Sequence, residues 1–201
     1  MGLSDKGGSM KKFCKWYEEK GIWLIVFVAL IIAILVPSPS KRFAQEEETT
    51  PIYEVEVVDY YIYDVPLACE IQHYIGSLCE DYGVDSALVM AIIKVESNYR
   101  IDVIGDSGNS YGLMQIQAKW HGKRMERLGV TDLLNPYENV TVGVDYVAEK
   151  LHEGLGIEWA LMAYNGGNDY ANRKVANGEV TDYALKVMAE AYKLTEERVG
   201  E

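Results

Sequence analysis

The chain has 201 residues, 49% apolar and 25% charged, a balance that supports one globular domain plus about 50 further residues and excludes wholesale disorder. Against 19 basic side chains stand 31 acidic ones, and the net charge of −12 leaves no basic face to neutralise phosphates, which excludes nucleic acid as a partner. Three cysteines are too few for a disulfide scaffold.

From the N-terminus, residues 1–20 carry Lys6, Lys11, Lys12, Lys15 and Lys20 against three acids. An uncharged run then extends from Gly21 to Ser40, and its first part, Gly21 to Val36, also lacks any side-chain amide. As a helix that part would rise ~24 Å, short of a hydrocarbon core of ~30 Å. Lys20, Lys41 and Arg42 can snorkel, and Trp16, Tyr17 and Trp23 suit the headgroup layer. The expected arrangement is a cytoplasmic N-terminus over 1–20, a transmembrane signal anchor over 21–37 and the rest of the chain outside the cell membrane. A cleaved leader giving a secreted protein is the alternative, although Lys41 and Arg42 stand where a cleavage site wants small residues. Residues 38–64, with Pro39, Pro51 and the run Glu46-Glu47-Glu48, read as an extracytoplasmic linker, and the folded domain is expected over 65–201.

That domain reads as helical. Leu67, Ile71, Tyr74, Ile75 and Leu78 recur at helical spacing, and Gly83 stops the segment. Cys69 and Cys79 stand ten residues apart on it, ~15 Å, too far for a mutual disulfide, and are expected to fill the core as thiols. Asp85 is a good N-cap for Ser86–Glu96, which is apolar on nearly every face and so belongs at the centre of the others. Asn135, Pro136 and Glu138 at N-cap, N1 and N3 start a helix whose Val140, Val144, Val147 and Leu151 share one side. Asn139-Val140-Thr141 fits a glycosylation sequon but lies in the first turn of that helix. Ile157–Asn165 is a further apolar helix ended by Gly166-Gly167, and Ala184, Val187, Ala191 and Leu194 mark the last one. Between them, Arg100–Gln117 has three glycines and no helical period, which makes it a loop or small β element and a natural working surface. His73, His121 and His152 show no metal-ligand spacing.

Glu96 is the candidate for chemistry. It ends the apolar helix, at the negative end of the helix dipole, and faces the glycine-rich stretch. Desolvation and the dipole both disfavour its carboxylate and raise its pKa, as a general acid working near neutrality requires.

Four segments in order carry a resemblance: Val95-Glu96-Ser97-Asn98-Tyr99, Tyr111-Gly112-Leu113-Met114-Gln115-Ile116, Ala163-Tyr164-Asn165-Gly166-Gly167, and Tyr183. With the lead-in at Tyr82 and the helix start at Asn135, the chain over about 66–195 resembles the soluble-lytic-transglycosylase-like (SLT) catalytic domain, family 1 of the lytic transglycosylases. The resemblance implies a mainly α, lysozyme-like α+β fold with a cleft for peptidoglycan glycan strands. It implies Glu96 as sole catalytic acid/base, Ser97 as its support, and Gly112, Leu113, Met114 and Gln115 as a cleft wall beside the sugars. Tyr164, Asn165 and Tyr183 would close the pocket. No cofactor and no metal is implied. Enzymes of this kind often serve an envelope-spanning secretion or conjugation complex, the implied partner besides wall and membrane.

Two departures stand out. Gln117-Ala118-Lys119 occupies the place where the family commonly has proline, and Gly166 takes the place of an alanine, which predicts a looser loop after Asn165. Two other functions remain open. Asp102 or Asp106 could serve as the second carboxylate of a hydrolytic muramidase, and a non-catalytic peptidoglycan-binding module would keep the fold without turnover.

Overall fold

The computed structural model describes residues 60–200. The expected cytoplasmic segment, the anchor over 21–37 and most of the linker lie outside the described residues. Among the described residues no helix is long and apolar enough to cross a membrane. The described body comprises seven helices and one small sheet: α1 (Cys69–Tyr82), α2 (Ser86–Ser97), β1 (Ile104–Gly105), β2 (Ser110–Tyr111), α3 (Ala118–Leu128), α4 (Pro136–His152), α5 (Ile157–Gly166), α6 (Asn168–Ala176) and α7 (Asp182–Val199).

Helix α2 lies at the centre because its sequence leaves no polar face. Leu88 to Ile93 are all buried, and α7 packs along α2 more extensively than any other pair of elements meets. The Asp85 carboxylate starts α2 by accepting from the Ala87 N–H at 2.9 Å. Gly83 ends α1 in the left-handed region, its φ at 65°. Asn135 caps α4 with its side-chain oxygen, 3.0 Å from the Tyr137 nitrogen. Glu138 does not reach back to that cap; its carboxylate accepts instead from the Thr131 and Asp132 amides and so fixes the loop entering α4.

The linker boundary shifts. Tyr60–Asp64, assigned to the linker, pack with the helices: Tyr63 is buried in the core, and Gln72 holds its N–H at 2.9 Å and its carbonyl at 3.2 Å. Cys79 is a free, buried thiol, and Cys69 at the start of α1 is buried as well.

The glycine-rich stretch contains the small β element. β1 and β2 pair antiparallel, Ile104 opposite Tyr111 and Gly105 opposite Ser110, and Tyr111 bridges on to Ile116. The loop Tyr111–Ile116 is pinned from beneath by Asn139, which is wholly buried on α4. Its side-chain oxygen accepts from the Met114 N–H at 2.9 Å, and its Nδ2 donates to the carbonyls of Tyr111 (2.7 Å) and Leu133 (2.9 Å). The close approach requires Gly112, at φ 68°, since a Cβ there would stand 2.6 Å from Asn139 Nδ2. The sequon at Asn139 is therefore a structural hub with no accessible amide.

Changing Asn139 to alanine strands the Met114 N–H and the Leu133 carbonyl, while the Tyr111 carbonyl keeps its bond from the Ile116 N–H. At ~1–3 kcal/mol per stranded group, the unfolding free energy should fall by about 2 kcal/mol or more, read by urea denaturation of the chain.

Candidate active site

Helix α2 ends where the chemistry is expected to begin. Asn98 closes it in the left-handed region (φ 53°), its N–H bonded to the Lys94 carbonyl, and Tyr99 follows at φ 64°. This turn sends the chain away from the helix and leaves Glu96 partly buried at the head of a cleft of about 1260 Å³.

The Glu96 carboxyl is pushed up to about 7. Burial is the main cause, and the charge of Asp106 acts in the same direction. The opposing influence is the Tyr183 hydroxyl, which donates to Glu96 Oε1 at 2.7 Å and favours the carboxylate. Burial outweighs that bond, so near pH 7 the acid and its conjugate base are about equally populated. The phenols of Tyr164 and Tyr183 are themselves pushed up by burial and by Glu96, so both remain neutral donors.

The other expected residues divide in two. Tyr164, Asn165 and Gln115 line the cleft with Glu96. The Tyr164 hydroxyl donates to the Met114 carbonyl at 2.7 Å and ties α5 to the Tyr111–Ile116 loop. Gln115, at φ 48°, donates to the carbonyls of Gly112 (2.9 Å) and Val103 (3.1 Å), which locks the turn bearing it. Tyr183 comes from α7 to the carboxyl itself.

Gly112, Leu113 and Met114 require correction as cleft wall. All three are buried, and none is among the lining residues. Ser97, expected as a support of the glutamate, is buried too and does not line the cleft; its hydroxyl donates back to the Ile93 carbonyl at 3.1 Å at the end of α2. Leu113 and Met114 point into the core and hold the wall from behind. Gly166 is not loose either. It is the last residue of α5, and a Cβ there would stand 2.3 Å from the Tyr170 ring, so its small size admits that ring.

Several residues of the site carried no signal by themselves. Tyr146 lines the cleft from α4, donates to the Ala163 carbonyl at 3.0 Å and stacks obliquely on Tyr164 at 5.2 Å. Arg124 lies over the Tyr146 ring, 4.7 Å from its centroid, and bonds Asp145 at 2.6 Å and also Glu149. His121 is buried beside it, 2.9 Å from Arg124, and burial pushes its pKa down to about 4, so it is a neutral acceptor. Asp106 faces the cleft, its carboxylate held by Ser110 at 2.5 Å and Gln117 at 2.8 Å; Asp102 is exposed and does not line the cleft. A buried Asn in the apolar stripe of α4 was the one legible sign of the hub at Asn139.

With this geometry in view, the fold is that of a known class. The lytic transglycosylase Slt from Pseudomonas aeruginosa, solved as an inactive mutant, superposes with a TM-score of 0.58 over 68% of this chain and 25% of that one, at 18% identity. Residues 73–186 match the transglycosylase SLT domain, and the chain belongs to that family.

The transglycosylase of Enterobacteria phage PRD1 is 31% identical over 98 residues, covering 49% of this chain and 35% of the phage protein. The X polypeptide of Escherichia coli is 32% identical over 111 residues, 47% of this chain and 64% of that protein. Endo-type membrane-bound lytic murein transglycosylase A of Citrobacter koseri is 34% identical over 102 residues, 46% of this chain and 50% of that protein. The chain thus spans 35% to 64% of the length of these relatives.

Two outcomes follow from the carboxyl. Between pH 4.5 and about 7 the folded protein binds more protons at Glu96 than the unfolded chain, so its stability falls as pH rises through that window. Glu96→Gln should abolish this slope and be more stable at pH 8 by on the order of 3 kcal/mol, read by denaturation at several pH values. Tyr183→Phe removes the bond that favours the charged form and should move the Glu96 midpoint above about 7, read by carbon-13 NMR titration of the carboxyl.

Proposed function

We propose that this chain is a membrane-anchored peptidoglycan lytic transglycosylase. It cleaves the β-1,4 bond between N-acetylmuramic acid and N-acetylglucosamine and leaves 1,6-anhydro-muramyl ends. The observation that carries this reading is a desolvated carboxyl with a pKa of about 7 at the head of a long cleft, in a chain of the SLT family. Protonated Glu96 donates to the glycosidic oxygen as the bond from that oxygen to the muramic anomeric carbon breaks. The resulting carboxylate then takes the proton of the muramic 6-hydroxyl as its oxygen bonds to the same carbon. No water is consumed, and the acid is restored. One carboxyl suffices because the nucleophile belongs to the substrate and attacks at high effective concentration. The Tyr183 hydroxyl, already bonded to Oε1, eases the step in which Glu96 is charged.

A hydrolytic muramidase is the second reading, and Asp106 is the observation that favours it. Its carboxylate lines the same cleft and is oriented by Ser110 and Gln117, as a group positioning water would be. Masses of the fragments released from sacculi separate the readings. The expected result is anhydro ends, lighter by one water than reducing ends, from the wild type and from Asp106→Asn, and none from Glu96→Gln. Reducing ends that vanish in Asp106→Asn would establish the hydrolase, and sedimentation with sacculi without release would leave a binding module. On the transglycosylase reading kcat/KM should also fall as pH rises through about 7, because the proton that Glu96 donates to the glycosidic oxygen is lost.

The uncharged run Gly21–Ser40 behind five lysines supports an anchor over 21–37, cytoplasmic residues 1–20, a linker ahead of the domain and a catalytic domain outside. The protein should stay with membranes washed in high salt, whereas a soluble form starting near residue 41 or 45 would reveal cleavage. Its size suits an accessory of an envelope-spanning conjugation or secretion apparatus, the partner we propose beside the wall.

A further inference from the structure

The last helix is packed into the domain by one face and leaves the opposite face bare. Ala184, Val187 and Leu194 are the buried side chains of α7. On its outer side Leu185, Tyr192 and Val199 stand seven residues apart, close to two turns, and so form one stripe. They are 52%, 66% and 76% exposed, and Ala189 between the first two is exposed as well. Half-buried Met188 and Thr195 flank the stripe at the spacing that completes a heptad seam. A lone exposed apolar side chain needs no explanation, whereas three in register along one helix of 18 residues do.

Charges on the same helix are also left over. Lys186, Glu196 and Glu197 are exposed and have no ion pair among the described residues. Lys193 is held by Glu190 at 3.1 Å and Arg198 by Asp85 at 2.9 Å, so their charges are already offset. Glu196 and Glu197 lie in the last turn of α7, at the negative end of its dipole, where acids are disfavoured. Lys186 lies toward the opposite end. A bare apolar seam with a cation near its start and acids at its finish matches a copy of itself running the other way.

We propose that the outer face of α7 is a dimer interface, in which two copies pair antiparallel about a two-fold axis at Tyr192. The two Tyr192 rings meet on the axis, Leu185 of each copy lies opposite Val199 of the other, and Lys186 comes beside Glu196. The positive start of each helix then adjoins the acids that end its mate. Tyr183 stands about two and a half turns before Tyr192, so it leaves α7 on the other side, toward Glu96. Both clefts stay open in the pair. The contact strip, ~27 Å long and ~10 Å wide, is well under the ~800 Å² per partner of a standard interface, so the dimer is weak and forms as concentration rises.

Cysteine pairing reads both the contact and its register. The full chain is used in detergent, with Cys14→Ser to remove the cysteine outside the described residues. Tyr192→Cys, on the axis, should link to its own kind under mild oxidation and come apart in reductant. Leu185→Cys and Val199→Cys should each stay single, because identical positions lie ~21 Å apart along the helices, yet should link when mixed. Arg173→Cys, exposed on α6, should stay single throughout. Lys186→Glu should cut the Tyr192→Cys yield about fivefold, and Glu196→Lys added to it should restore the yield. Absence of a link through Tyr192→Cys overturns the interface, and so does a yield that Lys186→Glu leaves unchanged. Linking of Leu185→Cys to itself would mean a parallel pair and overturns the arrangement. A sedimenting dimer that persists in Tyr192→Glu would be held by another part of the chain, which overturns it as well.

Discussion

The site depends on a contest over one proton. Burial at the end of α2 drives the Glu96 carboxyl toward its neutral form, and the Tyr183 hydroxyl pulls it back toward the charged one. Were burial alone at work, the acid would hold its proton too tightly to act as a base in the return step. Were the phenol alone at work, the carboxylate would persist at neutral pH and have nothing to donate. Burial wins by enough to bring the carboxyl to about 7, so both forms are populated near neutral pH, and much of the surrounding structure maintains that setting. The buried length of α2 fixes the height of the carboxyl, and two successive left-handed residues, Asn98 and Tyr99, carry the chain clear of it.

The opposite wall is built to resist movement. Asn139 reaches through the floor to three backbone groups, Tyr164 ties α5 to the Met114 carbonyl, and Gln115 closes its turn on two further carbonyls. Each of these bonds joins segments far apart in the chain or locks a turn, so the loop beside Glu96 is a rigid surface rather than a flap. That rigidity explains why motif residues such as Leu113 and Met114 are apolar and buried. They serve the wall by filling the space behind it.

Legibility in the sequence followed the apolar pattern. The central helix, the caps at Asp85 and Asn135 and the stops at Gly83 and Gly166-Gly167 were all visible, because each rests on local chemistry that the chain states outright. Helices α3 and α6 were not. Each buries a single side chain, His121 in one and Ala171 in the other, so neither shows a periodic stripe. The carboxyl could be singled out from its place at a helix end. Its phenolic partner came with the family resemblance alone, since no local pattern links residues 87 positions apart. Motif membership also misled: Gly112, Leu113 and Met114 belong to the motifs but not to the surface, and spacing does not distinguish a wall from its backing.

The same separation of 87 residues bears on how the protein comes into being. A ribosome delivers Glu96 long before Tyr183, and the last helix, α7, is also the chief neighbour of α2. Until α7 docks, the carboxyl lies in an unfinished pocket open to water and ionises as an ordinary glutamate, with no proton to give at neutral pH. The neutral acid is therefore a property of the completed fold: it appears only once the last helix lies against α2 and brings its phenol to the carboxyl.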